Sequence, residues 1–216
     1  MAVSMNTGGG TLLARLLGQL DQSGPPKDLA AEARYGVHGD VPASLQRPVK
    51  PRPAAVLIPI VAHEQEPTIL LTRRTDHLAD HPGQICFPGG GCEVGDPDLE
   101  ATALRETREE VGIDADRIHI RGYLRPYMTI TGFAVAPVVG LLQPGFAVAP
   151  DPFEVAEVFE VPLAHLMDPA NHAQQQADFR GHTLSYYQID WRGYRVWGAT
   201  AAMLVGMSQI LEEDGT

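Results

Sequence analysis

Residues 87–113 read FPGGGCEVGDPDLEATALRETREEVGI, a glycine turn followed by a charged segment. Three consecutive glycines, residues 89–91, follow directly after an apolar segment. Glycine enters left-handed backbone conformations without a Cβ clash and lets the chain approach a ligand closely. The rest is typical of a helix, with Asp96 as the N-cap, Pro97 in the first helical position and Gly112 just past the end. The stretch therefore predicts a tight turn that leads into a capped helix.

Three carboxylates share one face of the predicted helix. Glu106, Glu109 and Glu110 stand at positions i, i+3 and i+4, where side chains are neighbours on the helix surface. Like charges at this spacing are mildly destabilising, and a bound divalent cation would reverse the sign of that interaction. The alternative is an ordinary solvated face in which Arg105 pairs with Glu109. The carboxylates alone leave both interpretations open.

The stretch as a whole closely resembles the box of the Nudix hydrolases, G-x5-E-x7-R-E-U-x-E-E-x-G-U, in which U is apolar. Its C-terminal half is matched by Arg105, Glu106, Glu109, Glu110, Gly112 and Ile113, with Thr107 at the usual apolar position. The N-terminal half departs from the box. Counting back from Arg105 places Pro97 where the family has glutamate, whereas counting from Gly90 requires one extra residue in the loop. Glu93 and Asp96 are candidates to replace the missing glutamate.

A second, longer motif precedes the box. Residues 70–74 (LLTRR) and 81–90 (HPGQICFPGG) resemble the signature of the coenzyme A pyrophosphatase branch, roughly L-L-T-x-R-(S/A)-x3-R-x3-G-x-(V/I)-x-F-P-G-G. Members of that branch tend to have the longer loop that counting from Gly90 requires. The resemblance covers roughly residues 55–211 and implies cleavage of coenzyme A to 3′,5′-ADP and 4′-phosphopantetheine. One departure is Ala79, which stands where the signature has arginine.

The three box glutamates are the expected metal ligands. Carboxylates supply oxygen without nitrogen or sulfur, a donor set that favours Mg²⁺ or Mn²⁺ over zinc. The resemblance implies that the carbonyl of Gly90 completes the set and that Arg105 orients the glutamates. Glu154, in the loop sequence DPFEV, is the candidate general base and matches a later acidic position of the family. The alternative for Glu154 is an ordinary exposed loop residue, and a box glutamate would then serve as the base.

Candidate substrate-binding residues flank the signature. Arg73 and Arg74 end a predicted strand, so alternation along it places only one of them on the side of the glycine turn. His81 is the histidine inside the signature. Four aromatic residues near the C-terminus, Trp191, Trp197, Tyr186 and Tyr187, are more typical of core packing than of base stacking. The expected partner is a nucleoside diphosphate derivative.

Strand and helix patterns around the box predict a layered domain. The resemblance implies a Nudix α/β/α sandwich around a mixed sheet, which is an α/β (α+β) fold. Residues 54–216 are assigned to this domain and residues 1–53 to a flexible arm that contains a short helix over 11–20. That helix can pack on its own domain or on a second subunit, so a homodimer is one expected arrangement. Predicted strands cover residues 54–62, 68–73, 84–87, 118–124, 134–142, 155–162 and 186–196, with Pro59 at an edge or bulge, and a closing helix covers 196–212.

The composition narrows the class of protein. The formal net charge is −11, and no basic run is present, which argues against nucleic acid as a partner. We expect no membrane association and a cytoplasmic location, since the sequence has neither an apolar run of membrane-spanning length nor a secretory signal pattern. The two cysteines, Cys86 and Cys92, are expected to be reduced thiols. Two alternatives stay open: the same centre could hydrolyse ADP-ribose, NADH or nucleoside triphosphates, or the chain could be a catalytically silent Nudix-like binding module.

Overall fold

The computed structural model describes residues 8–35, 50–78 and 81–212. Its helices are α1 (Gly8–Leu20), α2 (Leu29–Glu32), α3 (Leu99–Val111), α4 (Leu163–Met167) and α5 (Gly198–Glu212), with short 3-10 turns at Ala115–Arg117 and Pro169–Asn171. Its strands are β1 (Arg34–Tyr35), β2 (Arg52–Val61), β3 (Thr68–Arg74), β4 (Ile85–Cys86), β5 (Gly89–Gly91), β6 (Ile118–Tyr123), β7 (Tyr127–Met128), β8 (Phe133–Leu142), β9 (Val155–Pro162), β10 (Ala173–Phe179), β11 (His182–Trp191) and β12 (Tyr194–Trp197). None of these helices is long and apolar enough to span a membrane.

One mixed sheet forms the centre of the domain. Among the described residues it has nine strands, in the order β1-β7-β8-β2-β3-β4, with β5, β6 and β9 paired to β2, β8 and β3. Strands β2 and β8 run parallel along their whole length, while β3 is antiparallel to β2, β4 and β9. The glycine turn is itself a strand, because β5 pairs with the start of β2.

Alternation along β2 separates two hydrophobic cores. Ile58 and Ile60 face the side covered by α1, α4 and α5, whereas Leu57 and Val61 face the side covered by α3. All four side chains are fully buried, as expected for a central strand with helices on both faces. The α/β/α sandwich predicted from the sequence is confirmed. The site described below lies on the α3 side.

Helix α1 belongs to the core of the domain. Leu16 and Leu20 are fully buried against the residues of α4 and α5. After the helix, Asp21 forms a two-oxygen ion pair with Arg121 of β6 at 2.7 and 2.8 Å. The sequence left open whether this helix packs on its own domain or on a second subunit, and in the structure it packs on its own domain. Residues 1–7 and 36–49 of the predicted arm lie outside the described residues, and the domain boundary at 53/54 stays a prediction.

A second sheet of three antiparallel strands, β10-β11-β12, packs beside α5. The single strand predicted over 186–196 is wrong, because the chain turns at Arg192 and Gly193 and pairs β11 with β12. Both turn residues have positive φ, 45° and 89°, as a two-residue hairpin loop of type I′ requires. Strand β10 had no prediction. It is joined to β11 by the same Arg-Gly pair at positions 180 and 181, again with positive φ at both residues.

Pro59 does not lie at an edge of the sheet. Strand β2 is central, and Pro59 pairs in register with Gly140 of β8. On the opposite side of β2, the start of the strand pairs with β5 and its end, from Ile60, pairs with β3. Pro59 falls between these two partners. This break is the place where a central strand accommodates a residue without a backbone N–H.

Candidate active site

Helix α3 starts two residues later than the sequence suggested. Asp98, not Asp96, is the N-cap, and its carboxylate accepts a hydrogen bond from the Ala101 backbone N–H at 2.8 Å. The prediction for Pro97 is therefore also wrong, since Pro97 precedes the cap. The end of the helix is as predicted: Gly112 is the C-cap in the left-handed conformation, with φ of 71°.

Asp96 does not cap the helix and instead binds the side chain of Arg105. The guanidinium donates to both carboxylate oxygens, at 3.0 Å from Nε and 3.1 Å from Nη2. The Asp96 side chain is only 8% exposed and also accepts hydrogen bonds from the Thr102 hydroxyl and the Glu93 backbone N–H. These donors, the Arg105 guanidinium first, hold the pKa of Asp96 well below its usual range. Counted from Gly90, Asp96 stands where the Nudix box has its first glutamate.

Arg105 connects the glycine turn to the helix. Its Nη1 donates to Glu106 at 2.9 Å and to Glu109 at 3.0 Å, and its Nη2 donates to the Gly91 carbonyl at 3.1 Å. One guanidinium thus binds two of the three box glutamates, the loop carbonyl and Asp96. The orienting role that the resemblance implies for Arg105 has a direct structural counterpart in these contacts, although its effect on activity stays a prediction.

Glu110 is the most buried of the three box glutamates. Its side chain is 5% exposed, compared with 60% for Glu109. Its Oε2 accepts a hydrogen bond from the Gly89 backbone N–H at 3.1 Å, and Arg74 Nη1 lies 3.8 Å from its Oε1. Burial raises the pKa of Glu110 to about 7, and the nearby charges of Glu106 and Glu154 add to the shift. The folded protein therefore holds this carboxylate at a site where additional positive charge would stabilise it.

The glycine turn lies directly against Glu106. A Cβ at position 90 would be 2.5 Å from a Glu106 carboxylate oxygen, a separation that real side chains do not show. Position 91 has open space around the same hypothetical atom. Burial also raises the pKa of Glu106, opposed by its bond to Arg105. Only glycine at position 90 lets the loop backbone come this close to the carboxylate.

The chemistry of the donors fits a hard divalent cation. Every side chain in question offers carboxylate oxygen, and the half-buried Glu106 and the buried Glu110 have raised pKa values that bound positive charge would lower. The three carboxylates do not converge, however. Within residues 8–35, 50–78 and 81–212 no three His, Cys, Asp or Glu side chains are gathered around a point that could hold a metal ion. Glu106 and Glu109 point to Arg105, and Glu110 points to the Gly89 N–H.

Glu154 lies next to the box helix although it is 44 residues further along the chain. The loop that carries it is bound to α3 through the Asp151 N–H, which donates to the Glu110 carbonyl at 3.0 Å. The Glu154 carbonyl accepts from the Thr75 N–H at 3.0 Å, which ties the loop to the end of β3. Glu154 also contributes to the raised pKa values of Glu106 and Glu110. The structure thus brings this candidate base to the carboxylates.

The two neighbouring arginines of β3 point to opposite faces of the sheet. Arg74 lies on the α3 side, beside Glu110. Arg73 lies on the other side, where its Nε donates to Glu157 of β9 at 3.2 Å, and the Tyr194 hydroxyl donates to the same carboxylate at 2.6 Å. The Arg73 guanidinium is therefore not on the side of the box glutamates, which favours Arg74 for substrate binding, and the role of either residue stays a prediction.

His81 occupies an exposed turn before β4, in the left-handed conformation with φ of 56°. Its carbonyl accepts from the Gln84 N–H at 3.3 Å, and its role in substrate binding stays a prediction. Ala79, the departure from the signature, lies outside the described residues. Trp191 and Tyr187 pack against the larger core, in line with the expectation for the C-terminal aromatic residues.

Cys86 and its neighbour Thr72 lie near Glu110 but were not predicted to be part of the site. The Cys86 sulfur lies 3.2 Å from the Thr72 hydroxyl, on the α3 face of the sheet. Burial raises the pKa of the Cys86 thiol to about 11, with Glu110 as the second cause, so the thiol is neutral at physiological pH. Both cysteines are free. The sequence held no signal for this proximity, because it depends on the pairing of Cys86 with Thr72 between β4 and β3.

A family model described as the NUDIX domain matches residues 50–180 of the chain. This match covers more than half of the 216 residues. The chain belongs to the Nudix family. Nudix hydrolases act on diphosphate anhydrides and generally need divalent metal ions. The box glutamates, the glycine turn and Arg105 described above all lie inside the matched Nudix region.

Two named relatives and one solved structure are similar to this chain. The chain is 44% identical over 153 residues to the uncharacterised Nudix hydrolase NudL of Enterobacter sp. (strain 638), covering 71% of this chain and 79% of the relative. It is 39% identical over 158 residues to NudL of Photorhabdus laumondii, covering 73% and 84%. Among solved structures, a MutT/nudix family protein from Enterococcus faecalis is similar with a TM-score of 0.49 and 15% identity, covering 82% of this chain and 66% of that one.

Proposed function

We propose that this Nudix protein hydrolyses the diphosphate of coenzyme A or its derivatives, releasing 3′,5′-ADP and 4′-phosphopantetheine. The observation that carries the proposal is the position of the signature residues. Leu70 to Arg74 form β3, the tail of the signature forms β4 and β5, and both parts meet at Glu110 through Arg74 and the Gly89 N–H. The residues that resemble the signature of the coenzyme A branch therefore lie beside a box glutamate, which supports the proposal.

We assign Mg²⁺ or Mn²⁺ to this site, where Glu106, Glu109, Glu110 and the Gly90 carbonyl would hold it after Glu106 and Glu109 turn from Arg105 toward the ion. When bound, such an ion neutralises charge on the diphosphate and lowers the pKa of a bound water. The chain's own contribution is to hold the ligands. Arg105 is anchored on Asp96 and keeps Glu106 and Glu109 beside the glycine turn.

Local cations are essential for binding an anionic substrate here. The chain as a whole carries a formal charge of −11, so its overall field repels a diphosphate. Arg74 lies beside Glu110 at the edge of the carboxylate cluster, and we assign to it a contact with a substrate phosphate oxygen. A guanidinium is suited to this contact because its N–H groups form charge-assisted hydrogen bonds with phosphate.

Glu154 is our candidate for the general base that accepts a proton from the attacking water. If it has this role, Glu154→Gln lowers kcat by about 100-fold or more, changes the basic-catalysis limb of the pH profile, and weakens metal binding much less. The measurement is a pH profile of kcat together with metal titration of the variant. A variant with the wild-type kcat and pH profile would transfer the role to one of the box glutamates.

A substrate screen tests the main proposal. kcat/KM is measured for coenzyme A, ADP-ribose, NADH and deoxynucleoside triphosphates, each with Mg²⁺ and with Mn²⁺, and Ala79→Arg is run in parallel. We expect coenzyme A to lead. We expect Ala79→Arg to raise its kcat/KM if the missing signature arginine contacts a phosphate, by roughly ten- to a hundred-fold for a charged hydrogen bond.

The screen also separates the alternatives. Efficient turnover of ADP-ribose or NADH, with coenzyme A untouched even in Ala79→Arg, would overturn the coenzyme A assignment and leave a Nudix pyrophosphatase of another specificity. Absence of metal-dependent hydrolysis of every substrate would favour a silent binding module. The complete sequence Arg-Glu-x-x-Glu-Glu argues against that second outcome.

A further inference from the structure

An aromatic ring is exposed at the rim of the active site. Phe153 is 63% exposed. Every other Phe, Tyr or Trp in the described part of the chain is buried or half-buried. A large apolar side chain is less favourably solvated when exposed than when it is buried. A ring in a fixed place, beside the loop of the candidate base, can cover an apolar part of a ligand.

Hydrogen bonds fix the backbone of Phe153 on both sides, and a neighbouring ring contacts its side chain. Its backbone N–H donates to the Asp151 carboxylate at 2.9 Å, and its carbonyl accepts from the Thr75 hydroxyl at 2.8 Å. The imidazole of His77 packs against the phenyl ring with centroids 4.8 Å apart and an interplanar angle of 60°. This edge-to-face contact restricts the orientation of the phenyl ring before any ligand binds, which reduces the entropy cost of stacking.

The ring is adjacent to the groups that act on the diphosphate. Phe153 directly precedes Glu154, and Thr75, which binds its carbonyl, directly follows Arg74. The same loop donates a hydrogen bond from the Asp151 N–H to the Glu110 carbonyl. The backbone of Phe153 is thus linked by hydrogen bonds both to the end of β3 that carries Arg74 and to the loop bound to Glu110, which brings the ring within reach of one end of a ligand bound there.

We propose that the phenyl ring of Phe153, oriented by His77, is the platform on which the nucleobase of the substrate stacks. The proposal rests on the proposed function, since it assumes a nucleoside diphosphate derivative in the site. A nucleobase is the part of such a ligand with a planar aromatic face, and stacking on Phe requires no hydrogen bond from the protein. Phe153 is then a specificity-determining residue, and the chemistry at the carboxylates does not depend on it.

The test compares two ligands that differ only by the base. Binding of AMP and of ribose 5-phosphate is measured by isothermal titration calorimetry in the presence of Mg²⁺, with the full chain. We expect the wild type to bind AMP at least ten-fold more tightly than ribose 5-phosphate. Phe153→Leu keeps the apolar volume but removes the aromatic face, so we expect a loss of roughly ten-fold in AMP affinity and no change for ribose 5-phosphate. Phe153→Tyr restores AMP binding.

A matched control is Val94→Ala, which removes another fully exposed apolar side chain from the loop after the glycine turn. It should leave the preference for AMP unchanged. Equal affinity of the wild type for the two ligands, or a Phe153→Leu variant that binds AMP like the wild type or loses both ligands equally, would overturn the platform. These results are independent of the substrate screen: coenzyme A hydrolysis can fail while the AMP preference holds, and the reverse.

Discussion

Arg73 and Arg74 are adjacent in the chain but lie in two different parts of the molecule. Arg74 faces helix α3 and lies 3.8 Å from the buried carboxylate of Glu110. Arg73 faces the other side of the sheet, where Glu157 links it to Tyr194 of the small second sheet. Successive residues of a strand point to opposite faces, so two identical side chains have different surroundings. Arg74 lies beside a box glutamate, whereas Arg73 pairs with the carboxylate that also binds Tyr194.

The difference between the two faces follows from what covers them. Helices α1, α4 and α5 cover the Arg73 face with apolar side chains, and the ring of Phe159 stacks on that of Tyr194 at 4.0 Å beside the Arg73 pair. On the other face, α3 carries the glutamates at its end next to the glycine turn, and Leu29 of α2 packs against the same core. The charged cluster lies at the edge of this face, where we expect substrate to bind.

The largest expected effect comes from the carboxylates on the α3 face. Glu109→Gln or Glu110→Gln should lower kcat by at least ~100-fold, because each removes a negative charge from a metal-assisted step that contributes several kcal/mol. Steady-state hydrolysis with a titration of Mg²⁺ measures the effect. Glu66→Gln, an exposed carboxylate between β2 and β3, is the matched control. Full activity with unchanged metal dependence in both box variants would refute the assignment.

The second prediction tests the two arginines directly. Arg74→Gln should lower kcat/KM by roughly ten- to a hundred-fold, as expected for a charged hydrogen bond to phosphate, with little change in thermal stability. Arg73→Gln should leave kcat/KM within about two-fold of the wild type. It should lower Tm by a few degrees at most, since its ion pair with Glu157 is partly exposed and contributes at most ~1 kcal/mol. Equal losses of activity in both variants would contradict the separation of the two faces.

Strong local patterns in the sequence predicted much of the fold correctly. Strands β2, β3, β8 and β9 are apolar and rich in β-branched residues, and each was predicted to within two residues of its observed ends. The helix end at Gly112 was also predicted, because a left-handed C-cap favours glycine. Strand β10 was missed for the opposite reason. Its sequence, AQQQADF, is almost wholly exposed, so it lacks the alternation that marks a half-buried strand.

The site was harder to predict where it depends on contacts between distant residues. Asp96 and Asp98 are both suitable caps, and only the folded loop shows that Asp96 turns back to Arg105, nine residues later. The Arg-Gly pairs of the two hairpins were missed because Asn-Gly and Asp-Gly are the strong signals for this turn. The Nudix box predicted the glutamates and Arg105. It did not predict that Cys86 and Thr72 lie near Glu110, because that proximity depends on the pairing of β3 with β4.

The third prediction concerns the glycine turn on the α3 face. Gly90→Ala should lower kcat/KM by about ten-fold and weaken Mg²⁺ binding, because the added methyl group would meet the Glu106 carboxylate at 2.5 Å and displace it. Gly91→Ala is the matched control, since its Cβ has no neighbour within 4 Å. Activity assays and metal titrations of both variants give the comparison. Similar behaviour of the two variants would show that the close approach at Gly90 is not required.

The smallest effects are expected in the pH dependence of stability without metal, and they differ in sign within the same cluster. The folded-state pKa of Glu110 is raised to about 7, so between pH 4.5 and 7 the unfolded chain releases a proton that the folded chain keeps. The free energy of unfolding then falls as pH rises, by at most about 3 kcal/mol for this group. The pKa of Glu106 is also raised, so Glu106 acts in the same direction. Asp96 is the opposite case: its lowered pKa stabilises the fold above about pH 4, and this contribution is lost as the pH falls further.

Thermal unfolding in EDTA across pH 2–8 separates these two contributions. Glu110→Gln should flatten the decline in Tm between pH 4.5 and 7 and raise Tm at pH 7, because a neutral amide carries no desolvated charge. Asp96→Asn should lower Tm at pH 7 and flatten the acid limb below pH 4, since the ion pair with Arg105 is already lost. If both variants kept the wild-type pH profile, the buried charges of the α3 face would make no measurable contribution to stability. The contrast with the Arg73 face would then concern catalysis alone.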